Sequence, residues 1–145
     1  MKKYAIITMD VEDWYHTYFP EANVDRSISL LDGLDVALDI MKKDDIHGSF
    51  FVVGEIADKL ADKLREMDKE GHDIAVHNCQ HLRPVTMTPD EFRIQLLEAK
   101  QKLEEILGHE VQGYRAPSFG IDDERLDIVR ECGFKYDSSK LKPQK

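Results

Sequence analysis

The chain has 145 residues, enough for one domain around a single hydrophobic core and too few for a second. Its 20 Lys and Arg against 29 Asp and Glu give a formal net charge of −9, which argues against a partner with a phosphate backbone or an anionic membrane surface. With 41% hydrophobic and 34% charged residues the composition is that of a globular domain, not of a disordered or fibrous chain.

No apolar run approaches the roughly 18 residues of a membrane span, and Met1-Lys2-Lys3-Tyr4 leads into a strand-length segment rather than a signal-peptide core. A cytoplasmic location is therefore the expectation. Residues 4–9 (YAIITM) form a continuous apolar run, expected to be a strand buried on both faces, and the run ends abruptly in Asp10, Glu12 and Asp13. From Leu30 onward, Leu31, Leu34, Ala37, Leu38 and Met41 repeat at helical spacing, with Ser27 or Ser29 as the expected N-cap. Residues 48–53 (GSFFVV) predict a second buried strand, and Ile56, Leu60, Leu64 and Met67 predict one amphipathic helix closing near Gly71.

Residues 72–76 predict a third strand. Thr88-Pro89-Asp90-Glu91 then reads as a capping box with proline at the first helical position, opening a helix whose face carries Phe92, Leu96, Ala99, Leu103 and Ile106 and which stops at Gly108. Residues 111–114 predict a short fourth strand, and Asp122 caps a helix with Leu126 and Val129 that Gly133 ends. Residues 134–136 begin a fifth strand. Strict alternation of strand and helix implies an α/β fold, with parallel strands joined by right-handed crossovers into an open sheet or a barrel.

In such folds the chemistry gathers where strands run out into loops. Asp10, Glu12 and Asp13 follow the first strand, His77 and His81 the third, Arg115 the fourth and Asp137 the fifth. His77-Asn78-Cys79-Gln80-His81 sets two imidazoles four residues apart, able to reach one cation if the segment makes a helical turn. Catalytic zinc takes three protein ligands and an open position, so a carboxylate is needed, and the first strand offers three. A carboxylate left off the metal can act as general base, which pairs Asp10 with Glu12 or Asp13.

An acidic triplet is often only a helix cap or a solvated loop, but Trp14, Tyr15 and His16 directly after it argue against the latter. In Gly113-Tyr114-Arg115-Ala116-Pro117-Ser118-Phe119 an always-charged fork sits at a strand end, where it could orient a carboxylate, and proline stiffens the turn that follows. His47, His72 and His109 lie at the opposite rim or in loops and read as structural or solvent-facing. Cys79 and Cys132 form no CxxC and read as buried thiols.

With the acidic cluster, the HxxxH pair and Arg-Ala-Pro-Ser-Phe in this order, the chain resembles the polysaccharide deacetylases, carbohydrate esterase family four, whose unit is also called the NodB-homology domain. The resemblance covers residues 1–145 as one domain. It implies a partial or distorted (β/α) barrel with about five strands present here, C-terminally truncated relative to the family. It makes Asp10 the catalytic base and Arg115 the residue that orients it. Because Val11 intervenes, Glu12 before Asp13 is the carboxylate ligand, beside His77 and His81. Asn78 replaces the usual hydroxyl residue of the second motif. Trp14, Pro117 and Phe119 are candidates for the substrate wall, and Tyr136-Asp137-Ser138-Ser139 resembles the branch linked to bacterial exopolysaccharide assembly.

The implied cofactor is a divalent ion, zinc first, and the implied reaction is hydrolysis of N-acetyl groups on amino sugars of a polysaccharide, releasing acetate. The family's last motif carries a general-acid histidine with no counterpart in these residues, so a weak catalyst is expected, lacking assistance worth roughly 10²–10⁴-fold. Other readings are a non-catalytic module that binds metal or glycan, and a metal hydrolase of small cyclic amides. The open edge of an incomplete barrel leads to the expectation of a dimer or of a partly disordered C-terminus.

Overall fold

Short apolar runs bounded by polar residues become the strands, and the amphipathic segments between them become the crossovers. The computed structural model describes residues 5–18, 23–29 and 31–141. Its strands are β1 (Thr8–Val11), β2 (Ser49–Val52), β3 (Asp73–Val76), β4 (Gly113–Tyr114) and β5 (Tyr136–Asp137). The helices are α1 (Trp14–Tyr18), α2 (Gly33–Lys43), α3 (Gly54–Ala57), α4 (Ala61–Lys69), α5 (Pro89–Leu107) and α6 (Asp123–Glu131). All strand pairs are parallel and the spatial order is β1-β2-β3-β4-β5, so each crossover advances the sheet by one strand, the winding of a (β/α) barrel.

Register divides the sheet into two chemically distinct faces. Val11, Val52, Val76 and Tyr114 lie side by side on one face, and with Phe50 and Ile74 they form the core against Leu38, Leu64, Phe92 and Leu96 of the helices. The other face carries Thr8, Ser49 and Asp73 in one row and Asp10, Phe51 and Ala75 in the next. Side chains alternate along a strand, so His77 and Arg115, each one residue beyond a core-facing position, emerge on this second face.

Helix α5 is the structural backbone of the helical layer. Thr88 accepts from the Glu91 amide, the Glu91 side chain accepts from the Thr88 amide, and Gly108 closes the helix in the left-handed region at φ 80°. The five expected apolar positions are its buried face. Asp122 likewise caps α6, its side chain accepting from the Arg125 amide.

Four expectations are corrected. The first strand is Thr8–Val11, not 4–9: Ile6 is 83% exposed and Ile7 43%, because β1 pairs only with β2 among the described residues. Tyr4, and Leu30 at the start of the second segment, lie outside the described residues. Neither Ser27 nor Ser29 caps α2; Asp32 holds that position without a side-chain bond. The single helix expected over Ile56 to Met67 is two, α3 and α4, joined by a tightened turn in which the Leu60 amide meets both Ile56 and Ala57 carbonyls. Cys79 is buried as expected, whereas Cys132 is only half-buried.

Candidate functional site

Two strand ends bring a carboxylate and two imidazoles together. Glu12 follows β1, His77 follows β3, and His81 returns from the loop beyond it; their ligand atoms all lie within 4.8 Å of one another. Glu12 Oε2 is 2.7 Å from His81 Nε2 and 3.5 Å from His77 Nε2. His77 Nδ1 lies 2.7 Å from the Arg115 carbonyl, which can only accept, so Nδ1 carries the proton and the neutral ring presents a lone pair at Nε2.

Glu12 Oε2 and His77 Nε2 face one another 3.5 Å apart, both buried and neither in a well-directed hydrogen bond, with His81 Nε2 2.7 Å from the same carboxylate oxygen. Buried, opposed lone pairs are costly unless a proton or a cation lies between them, and one carboxylate with two imidazoles is a donor set that suits a catalytic divalent metal. Burial alone would raise the Glu12 carboxyl, but with protons rather than a metal on the facing imidazole nitrogens, the contacts from His77, His81 and Thr17 outweigh it and hold the group well below the ordinary carboxylate range.

The two histidines converge by a route different from the helical turn expected. Residues 77–83 contain no helix; Asn78 is fully buried and sits in the left-handed region at φ 60°, which asparagine tolerates better than most side chains. Its Nδ2 donates to the Leu82 carbonyl at 2.9 Å and its Oδ1 accepts from the Tyr114 hydroxyl at 2.7 Å. The amides of Gly54 and Glu55, opening α3, donate to the Asn78 and Cys79 carbonyls at 2.9 and 2.8 Å. Asn78 thus ties the loop to Leu82 and to β4 through its own side chain.

Asp10 stands at the edge of this cluster, its Oδ2 3.8 Å from His77 Nε2. Its Oδ1 accepts from Arg115 Nη1 at 2.7 Å, while Nη2 of the same guanidinium donates to Thr8 Oγ1 at 3.0 Å and Ser138 Oγ at 2.7 Å. The guanidinium carbon lies 4.1 Å over the Phe51 ring and 5.6 Å from the Phe119 ring, so the fork is fixed from below and from the side. Ser139 Oγ accepts from the Ala116 amide and donates to Asp137, tying the Arg115 turn to the end of β5. Both Ser118 and Phe119 adopt positive φ, local strain of the kind that gathers at functional turns.

The remaining candidates divide. Asp13 lies outside the cluster, its Oδ1 accepting from the Trp14 amide, so Glu12 is the acidic member of the set. Trp14 Nε1 donates to the Ile28 carbonyl; Pro117 is buried beneath its turn, and Phe119, 38% exposed, is the apolar side chain open to solvent there. His72 accepts from the Gly48 amide and His109 contacts Asp68, both away from the cluster.

Sequence reasoning missed Thr17, which donates to Glu12 Oε1 at 2.6 Å, and the buried His16. His16 Nδ1 accepts from the Asp13 amide, so Nε2 holds the proton and donates to Glu55 Oε1 at 2.6 Å. That bond, working against burial, holds the Glu55 carboxyl below its ordinary range. Glu55 bonds Cys79 through its amide and His16 through its carboxylate, joining the two ligand-bearing loops. A histidine after an acidic run carries no sequence signal for such a strut.

A family model described as polysaccharide deacetylase matches residues 25–136. Over 99 residues the chain is 35% identical to an uncharacterised 30.6 kDa protein of Geobacillus stearothermophilus, covering 68% of this chain and 37% of that protein. Over 97 residues it is 28% identical to a peptidoglycan-N-acetylglucosamine deacetylase of Bacillus cereus, covering 67% and 35%. Among solved structures, a putative polysaccharide deacetylase from Mycobacterium smegmatis superposes with a TM-score of 0.80 at 31% identity, over 92% of this chain and 50% of that one. A pseudoenzyme of the CE4 family from Bacillus anthracis superposes with a TM-score of 0.72 at 21% identity, over 90% and 41%, a likeness of fold. The chain thus spans little more than a third of these sequence relatives and half or less of these solved chains.

Proposed function

The chain belongs to the polysaccharide deacetylase family, and from that premise we propose that it is a metal-dependent hydrolase removing N-acetyl groups from amino sugars of a glycan. The observation that carries this reading is the buried Glu12 carboxylate facing His77 Nε2 and His81 Nε2 beside an arginine-clamped Asp10. Glu12, His77 and His81 would hold the ion, with zinc favoured by a set of two imidazoles and one carboxylate. When bound, such an ion supplies Lewis acidity, polarising a carbonyl oxygen and acidifying water at the site.

The protein's own groups do the rest. Arg115 occupies Asp10 Oδ1, leaving Oδ2 as the oxygen that faces the cluster, and there it takes the proton of the water that attacks the amide carbon. Departure of the amine requires a proton, and Asp10 Oδ2 holds one after the first step. The Arg115 carbonyl keeps His77 in the tautomer that presents Nε2, as hydrogen-bonded ligands at metal sites require. Phe119 offers an exposed apolar face beside Arg115 on which a sugar ring can rest. Relatives named as peptidoglycan deacetylases support an N-acetylated glycan as the substrate class.

Acetate release from chitin oligomers or peptidoglycan fragments by zinc-loaded protein tests the reading. Turnover is expected, with Asp10→Asn retaining zinc and losing at least about 10²-fold in rate. Zinc bound with no acetate released from any N-acetylated glycan would contradict it and leave a non-catalytic metal-binding module.

A further inference from the structure

We propose that Thr17 is a positioning residue that commits Glu12 to offering the metal a single oxygen, so that a coordination position stays open for the reacting groups. The inference rests on the metal-centre reading above and goes beyond it, since Thr17 belongs to none of the motifs that identify the ligands.

The two Glu12 oxygens have different surroundings. Oε2 is buried and faces His77 Nε2 and His81 Nε2. Oε1 accepts the Thr17 hydroxyl at 2.6 Å, near the short end of an O–H···O⁻ bond. A carboxylate with one oxygen engaged in this way pivots less readily to present both oxygens to one ion. If both were presented, the second would take the position that a catalytic site keeps open.

Thr17 is an exposed residue of α1, yet its backbone is not free to drift. The His16 amide donates to the Asp13 carbonyl at 2.9 Å, the Asp13 amide donates to His16 Nδ1 at 2.7 Å, and His16 Nε2 is anchored on Glu55. This reciprocal turn, locked onto α3, fixes where the Thr17 hydroxyl stands relative to the Glu12 carboxylate.

The test loads wild-type, Thr17→Val and Thr17→Ser proteins with Co2+ for visible spectra and with Zn2+ for affinity. Valine keeps the shape and removes the hydroxyl; serine keeps the hydroxyl. Thr17→Val is expected to weaken the cobalt absorption, as its coordination number rises, and to lower zinc affinity about tenfold, the scale of outer hydrogen-bond losses at metal sites. Thr17→Ser is expected to restore both. A Thr17→Val protein with wild-type spectrum and affinity, or a serine variant that restores neither, overturns the inference while leaving the metal centre intact. Wild-type protein that takes up neither ion overturns the metal-centre reading, and this inference with it.

Discussion

Arg115 holds Asp10, Thr8 and Ser138 with its guanidinium, stacks on Phe51, and fixes His77 with its backbone carbonyl. Side chain and main chain thus do separable jobs. Arg115→Lys replaces a planar fork by a point charge and is expected to lower kcat at least about tenfold, while zinc affinity stays within about twofold because the carbonyl remains. Steady-state kinetics and calorimetry on the same preparation check the split; a large loss of zinc affinity would contradict it. Asp10, Glu12, His77, His81 and Arg115 were legible in the sequence because titratable residues directly after apolar runs are unusual and point to strand ends. Thr8 and Thr17 were not, and the bond from Arg115 to Ser138 was not, although Ser138 stands in the Tyr136-Asp137-Ser138-Ser139 run. Hydroxyl residues occur everywhere, and their contacts arise only when distant segments fold together.

Helix α5 shows an element whose ends and buried face could all be read locally, since Thr88, Glu91 and Gly108 act within one turn of the helix ends. Thr88→Ala is expected to cost about 1 kcal/mol in denaturant unfolding. The loop over residues 77–83 shows the opposite. Spacing of four suggested a helical turn, but the left-handed Asn78 and its bonds to Leu82 and Tyr114 set the geometry instead. Asn78→Ala leaves a buried hydroxyl and a carbonyl without their partner. It is expected to destabilise the protein by about 1–3 kcal/mol and to weaken zinc binding, whereas an unfolding midpoint unchanged from wild type would contradict that role. Strand β1 was misread for a related reason. Apolar character is local, but burial depends on which neighbours the sheet provides, and β1 has one described neighbour.

Across the whole molecule, sequential winding of five parallel strands places Glu12, His77 and Arg115 at one rim although they are far apart in the chain. The alternation of strands and helices made that rim legible before any contact was known. Assembly from separate strand ends also couples the site to global stability. Glu12 and Glu55 are both held below the ordinary carboxylate range, so the stability they contribute is present above about pH 4.3 and is lost as the pH falls below it. Glu12→Gln is expected to flatten the metal-free protein's loss of stability between about pH 5 and 2, measured by denaturant titration; an unchanged slope would contradict the assignment. The most direct test of the account is calorimetric titration of the metal-free protein with zinc. One ion bound per chain is predicted, with tight binding abolished in His77→Ala and in His81→Ala; wild-type affinity in either variant would contradict the site.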